Sequence, residues 1–255
     1  MEKYTSYCSE YTVTKEQVIK SYCSEYTVTK EQVIKSYCSE CTVTKEQVIK
    51  SYIEGDDLEY MMAMKEAFIL KSLSQIDGFP KLLRAYSTPY DRETNMMPRF
   101  NLVMNNVGKP ITYSGNIQEA RRILADTTNL LCILHHNGIV HCDIKPNNIM
   151  TDESGKISVI DFSHSHKLLD THFRDSDKVV QTKLYTAPES SFYSENKTTK
   201  IDIWSLGCVY YELITNQVLM EDCNYSNVIN KIYKCEKSEQ NLLLRMLQTD
   251  KSGRT

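Results

Sequence analysis

Apolar residues recur at helical spacing in two long stretches of the chain. Over 57–74, Leu58, Met62, Ile69 and Leu73 share one face, and that spacing predicts an amphipathic helix. Glu66 falls on the same face. A carboxylate there either sits at the edge and reaches water or is buried against a cation, because burying it alone is costly. Over 117–136, Ile117, Ala120, Leu124, Leu131 and Leu134 form a second stripe, closed by Asn137 and Gly138, residues that suit a helix end. Between the two, "RFNLVMNNV" (99–107) alternates as a strand, and "GKP" (108–110) reads as a turn.

After the second helix the pattern changes. "IVHCDIKPNNIM" (139–150) interrupts an apolar run with an acid, a lysine and two asparagines. "TDESG" (151–155) then reads as a turn and "KISVIDF" (156–162) as an alternating strand. If 148–150 and 157–160 pair across that turn, the hairpin returns Asp161 to the end occupied by Asn148. Two hard oxygen donors side by side suit Mg²⁺, which takes few protein ligands and completes its shell with substrate phosphates. Asp143 and Lys145 lie in the loop just before. A carboxylate can orient an attacking hydroxyl and accept its proton, and an ammonium can neutralise a transferring phosphoryl group. The spacing suits phosphoryl transfer.

The N-terminal part is a tandem repeat. "SYCSEYTVTKEQVIK" at 6–20 recurs unchanged at 21–35, and 36–50 differs only in Cys41, where the other copies carry Tyr11 and Tyr26. A period of fifteen residues is shorter than the usual solenoid unit, and three copies would bury little surface by themselves. "EYTVT" and "EQVIKSY" alternate like strands, whereas the Thr-x-x-Gln of "TKEQVIKSY" could start a helix.

Composition narrows the field. With 255 residues the chain can build one large domain or two lobes. A net charge of -3 with no basic block gives no reason to expect a nucleic-acid partner. The longest apolar-looking run, "IWSLGCVYYELI" (203–214), carries Glu212 and is too short to span a bilayer, so no membrane partner is expected. The opening "MEKYTSYCSE" lacks the apolar core of a signal peptide. Nine cysteines, an odd number scattered from Cys8 to Cys235, read as reduced thiols of an intracellular, cytoplasmic or nuclear protein. Cys38 and Cys41 form one C-x-x-C, but no second ligand pair follows nearby, so zinc is not expected.

Five motifs together resemble the protein kinase family. "HCDIKPNN" is similar to its catalytic loop, "DFS" (161–163) to its metal-binding D-F-G, and "APE" (187–189) to the end of its activation segment. "DIWSLGCVYYEL" (202–213) resembles its large central helix, and "LLLRMLQTDKSGRT" resembles its closing pattern. The resemblance covers residues 36–255. It implies an α+β, two-lobed kinase-like fold: duplicated repeats at 1–35, a small β-rich N-lobe at 36–106 and a larger helical C-lobe at 107–255.

The resemblance also implies roles. Asp143 is the expected catalytic base, Lys145 the phosphate-neutralising lysine, and Asn148 and Asp161 the Mg²⁺ ligands. Glu66 matches the glutamate of the family's N-lobe helix, with Lys50 in "QVIK" as its partner on the preceding strand. Met104 matches the gatekeeper, and Asn105 to Val107 the hinge whose backbone binds adenine. Thr182 matches the threonine that bridges Asp143 and Lys145 in serine/threonine kinases. Glu189 and Arg254 match a structural ion pair, and Asp202 the acid that ties down the catalytic loop. His141 is expected to be structural, His135 and His136 to lie on the surface, and His164, His166 and His172 to lie in a mobile loop.

Four departures qualify the match. No glycine precedes Gly55, so the glycine-rich phosphate loop is replaced by "SYCSE" at a loop tip, with "CTVT" and "QVIK" as flanking strands. Backbone approach to ATP phosphates should suffer. Cys142 replaces the arginine of H-R-D, which argues against activation by a phosphorylated activation loop. Ser163 replaces the glycine of D-F-G and should stiffen that turn. The sequence stops just past Arg254, at Thr255, where the family usually adds a helix, so stability is expected to suffer more than chemistry. The expected activity is transfer of the γ-phosphoryl group of ATP, with Mg²⁺, to serine or threonine hydroxyls of a protein substrate. The alternative is a pseudokinase that binds partners, and either leaves room for a regulatory protein partner.

Overall fold

The computed structural model describes residues 32–33, 40–44, 46–93, 95–168, 183–190, 198–220, 225 and 227–254. They fall into two compact units, divided between Ala67 and Phe68, between Pro80 and Lys81, and between Asn106 and Val107.

The first unit is built on a five-stranded antiparallel sheet of β1 (Gln32–Val33), β2 (Glu40–Val43), β3 (Gln47–Ile53), β4 (Leu82–Thr88) and β5 (Arg99–Asn105), in the order β1-β2-β3-β5-β4. The helix–strand ambiguity of the repeat resolves to strand in its described part. β2 and β3 of the third copy pair from Glu40 opposite Ser51 to Val43 opposite Val48. β1 belongs to the second copy and adds to the edge, with Gln32 opposite Val43. Thr44 helps select strand over helix. Its hydroxyl donates to the Gln47 carbonyl at 3.0 Å and accepts the Gln47 N–H at 2.9 Å, an alternative to helical pairing. The rest of the first two copies, with their expected loop-and-hairpin form and the Cys38 of the C-x-x-C, lies outside the described residues.

β5 is buried from Phe100 to Met104 without a break. Successive strand residues face opposite sides, so both faces of this inner strand are covered. Its buried Asn101 accepts a hydrogen bond from the Ser51 hydroxyl at 2.6 Å. The strand stops at Asn105 rather than running to 107, because Asn106 turns its N–H to the Glu46 carbonyl and its side-chain amide to the Thr44 carbonyl, both at 2.8 Å.

Helix α1 (Asp57–Ser72) starts where the Asp56 carboxylate accepts the N–H groups of Leu58 and Glu59. Its buried face is Ala63, Glu66, Ile69, Leu70 and, just past its end, Leu73; Leu58 lies in the first turn and is exposed, contrary to the sequence reading. The predicted face was misaligned because Tyr60, Met61, Met64 and Phe68 make the opposite side apolar as well.

The second unit is mainly helical. Helix α2 (Ile117–His136) matches its predicted span, and the Asn116 side chain caps it by accepting from Gln118 and Glu119. Helix α3 (Lys200–Thr215) is buried on nearly every side, as its continuous apolar composition requires. Gly207 lets α3 approach α5 (Lys237–Met246): a Cβ there would stand 3.0 Å from Leu247 and 3.1 Å from Met246. A short helix α4 (Val228–Ile232) precedes α5.

Strands β6 (Lys109–Pro110), β8 (Ile149–Thr151) and β9 (Ile157–Val159) form one small sheet, and β7 (Ile139–Val140) pairs with β10 (His166–Lys167). "GKP" is therefore a strand start rather than a simple turn. Gly108, at φ 117, brings it close to β8, where a Cβ would lie 2.1 Å from the Thr151 carbonyl oxygen. The predicted hairpin forms with Ile149 opposite Val159 and Thr151 opposite Ile157. Among the described residues, no helix is long and apolar enough to cross a membrane.

Candidate active site

In the first unit the site residues start from strand alternation. Lys50 and Tyr52 stand two apart on β3 and so share a face. Both reach Glu66 on α1. Lys50 Nζ donates to Glu66 Oε2 at 2.8 Å, and the Tyr52 hydroxyl donates to the same oxygen. All three side chains are buried, and the Lys50 ammonium also lies 5.4 Å from the centre of the Tyr52 ring. Glu66 is thus buried against a cation rather than at a wet edge, and Tyr52 is a participant that the sequence reading missed. Its signal was the i, i+2 spacing from Lys50.

Met104 is buried on β5 opposite Val48. Asn105 is fixed by its side-chain oxygen, which accepts the Lys81 N–H at 2.5 Å. Asn105 and Asn106 are half-buried at the end of this unit, and Val107, also half-buried, begins the second.

In the second unit the loop from His141 to Asn148 is held from several sides. Asp202 of α3 accepts the backbone N–H of His141 at Oδ2 and that of Cys142 at Oδ1, each at 2.8 Å. His141 fixes its own ring. Nδ1 accepts the Asp143 N–H at 3.3 Å, so Nε2 carries the proton that goes to the Ile160 carbonyl at 2.9 Å. Its expected structural role fits this geometry. Cys142 adopts φ 68, a left-handed conformation rare outside glycine.

Asp143, Lys145 and Asn148 converge. Lys145 Nζ donates to Asp143 Oδ2 at 2.7 Å, and Asn148 Nδ2 donates to the same oxygen at 3.0 Å and to the Asp143 carbonyl at 2.8 Å. With its amide nitrogen turned to Asp143, Asn148 presents its carboxamide oxygen on the opposite side. The Ile160 N–H donates to the Asn148 carbonyl at 3.0 Å, which extends the β8–β9 hairpin and sets Asp161 beside Asn148. Two hard oxygen donors result. Among the described residues no group of three or more His, Cys, Asp or Glu side chains is able to hold a metal. That donor set fits Mg²⁺, which relies on phosphate and water for most of its ligands.

Phe162 is fully buried between Phe79 and His141, with ring centres 6.0 Å and 5.2 Å away. Arg254, fully buried, pairs with Glu189 through its two terminal guanidinium nitrogens and lies over the Trp204 ring. Thr182 and His172 lie outside the described residues.

Three histidines depart from expectation. His135 is not a surface residue, because its Nε2 donates to Asp202 Oδ2 at 2.8 Å. The clue was its position four residues after Leu131 on the buried stripe, while His136 is exposed. His164 is buried against Ser163, and His166 is a residue of β10, opposite Val140. Neither occupies a loose loop.

Comparisons with known proteins address the chain as a whole. A family model described as protein kinase domain matches residues 32–255. A probable serine/threonine-protein kinase of Dictyostelium discoideum is 29% identical over 142 residues, covering 53% of this chain and 27% of that protein. The serine/threonine-protein kinase PknB of Mycobacterium leprae is 32% identical over 146 residues, 54% of this chain and 23% of its own length. The serine/threonine-protein kinase srb10 of Schizosaccharomyces pombe is 30% identical over 131 residues, 51% of this chain and 36% of its own length. The chain therefore spans well under half the length of these relatives.

Proposed function

This chain belongs to the protein kinase family, and from that premise we propose that it transfers the γ-phosphoryl group of ATP to serine or threonine hydroxyls of a protein substrate. The observation that carries the reading is the convergence of Lys145 and Asn148 on one carboxylate oxygen of Asp143, beside Asp161. Asp143 orients the attacking hydroxyl and accepts its proton as oxygen bonds to the γ-phosphorus and ADP departs. Lys145 neutralises charge on the transferred group, a contribution made in the transition state. Asn148 and Asp161 would hold Mg²⁺ through their oxygens, and the ion would supply charge neutralisation at the phosphates. Lys50, oriented by Glu66, holds nucleotide phosphate, while Met104 and the backbone from Asn105 to Val107 bound the adenine.

A second reading has one observation in its favour. No glycine precedes Gly55, so the sequence lacks the glycines with which the family brings bare backbone to ATP phosphates. It makes the chain a partner-binding pseudokinase. Calorimetric titration with MgATP, followed by phosphoamino-acid analysis of a labelled basic protein substrate, separates the readings. Saturable MgATP binding with phosphoserine or phosphothreonine supports the kinase; binding of neither nucleotide nor label supports the pseudokinase, and phosphotyrosine alone would refute the serine/threonine assignment.

A further inference from the structure

Ser163 stands where the family's metal-binding turn carries glycine, and its side chain is tied to the proposed metal ligand. Its hydroxyl lies 2.6 Å from Asp161 Oδ1, and its backbone N–H lies 3.4 Å from the same oxygen. An ionised carboxylate only accepts hydrogen bonds, so the single hydroxyl proton points to Asp161. Ser163 Oγ must then accept from His164, whose Nδ1 is 3.0 Å away and therefore carries a proton. The donors form a chain from His164 Nδ1–H through Ser163 Oγ–H to Asp161 Oδ1, and hydrogen bonds in such a series polarise one another.

The surroundings make this chain rigid. Ser163 and His164 are 3% and 8% exposed, and the intervening Phe162 is fully buried. Ser165 extends the anchorage, with its N–H on the Phe162 carbonyl at 3.1 Å and its hydroxyl on the His141 carbonyl at 3.2 Å. Asp161 itself sits at φ 68, a left-handed conformation that a non-glycine residue keeps only where the surrounding structure imposes it. A glycine at 163 would supply the N–H alone; serine adds a second, shorter bond to the same oxygen.

We infer that Ser163, braced by His164, is a positioning residue for the Asp161 carboxylate and raises the affinity of the site for a divalent cation. The inference rests on the reading of Asp161 as a metal ligand. Groups that hydrogen-bond to a ligating carboxylate fix its orientation, and their loss typically weakens metal binding about 10- to 100-fold.

Mn²⁺ binding to the full chain in the presence of ADP, followed by electron paramagnetic resonance, tests the inference without requiring turnover. Ser163→Ala should weaken Mn²⁺ about tenfold, and His164→Ala should weaken it in the same direction. His164→Asn, whose amide N–H can replace Nδ1–H, should restore wild-type binding, a rescue that a merely structural role does not predict. Wild-type affinity in Ser163→Ala, with binding lost in Asp161→Asn, overturns the inference and leaves the metal site standing. Unchanged binding in Asp161→Asn, or no binding by the wild type, overturns both. Should Ser163→Ala fail to fold, the His164 pair decides: equal affinities in His164→Ala and His164→Asn overturn the inference.

Discussion

Asp202→Asn is a nearly isosteric change that should damage both folding and chemistry. Asp202 is fully buried, and its two oxygens take three N–H groups, from His141, Cys142 and the His135 ring, each at 2.8 Å. An asparagine has one acceptor oxygen. Placed where Oδ2 was, that oxygen keeps the His141 and His135 bonds, and the amide NH₂ then faces the Cys142 N–H, donor against donor. Leaving a buried donor unsatisfied costs about 1–3 kcal/mol. Turning two charge-assisted bonds into neutral ones removes about 1 kcal/mol from each. The total is roughly 3–5 kcal/mol, a lowering of Tm by about 6–20 °C for a chain of this size. Because the loosened N–H belongs to Cys142, at φ 68 and next to Asp143, kcat should fall more than KM rises. Calorimetric melting and steady-state transfer assays on the same preparations provide the check. A melting point within about 2 °C of wild type, with unchanged kcat, would refute the argument that Asp202 holds the loop.

Glu189→Gln should destabilise by about 3 kcal/mol, near the lower end of the range for breaking a buried ion pair. The Gln248 and Lys200 carbonyls still accept from Arg254 and moderate the loss. The double variant with Arg254→Met should cost less than the sum of the two single changes, measured by urea unfolding. The third prediction concerns pH. Burial disfavours the ionised form of Glu239, but hydrogen bonds from Arg121, Tyr210 and Ser238 outweigh it and hold the carboxyl below its ordinary 4.5. A depressed carboxyl stabilises the fold above its unfolded pKa, and that contribution is lost as pH falls through the folded value. The stability gap between wild type and Glu239→Gln should therefore be full at pH 7 and shrink below about pH 4.5. A gap that stays constant down to pH 3 would contradict this assignment.

Periodicity made the elements with one clean apolar stripe legible. Helix α2 ends where the sequence reading put it because its other face is polar and Asn116 and Asn137 mark its limits. Asn148 and Asp161 could be brought together from the sequence because one hairpin register suffices. Helix α1 misled at Leu58 because it is apolar on opposite sides, so no single stripe stood out. What remained hidden depended on contacts between distant segments. β1 joins β2 across a repeat boundary, and a repeat offers the same strand sequence several times over. His135 meets Asp202 sixty-seven residues away, and neither position announces the other. Ser163 was legible as a departure from glycine, but the direction of its hydroxyl follows only from the fold around Phe162.

Phosphoryl transfer from γ-³²P-labelled ATP to a basic protein substrate, comparing wild type with Asp143→Asn at equal nucleotide saturation, tests the central claim most directly. Both proteins should bind MgATP, while the variant should lose at least about a hundredfold in transfer, the lower range for a general base. Equal transfer by the two proteins, or none from a wild type that is saturated with MgATP, would contradict the account.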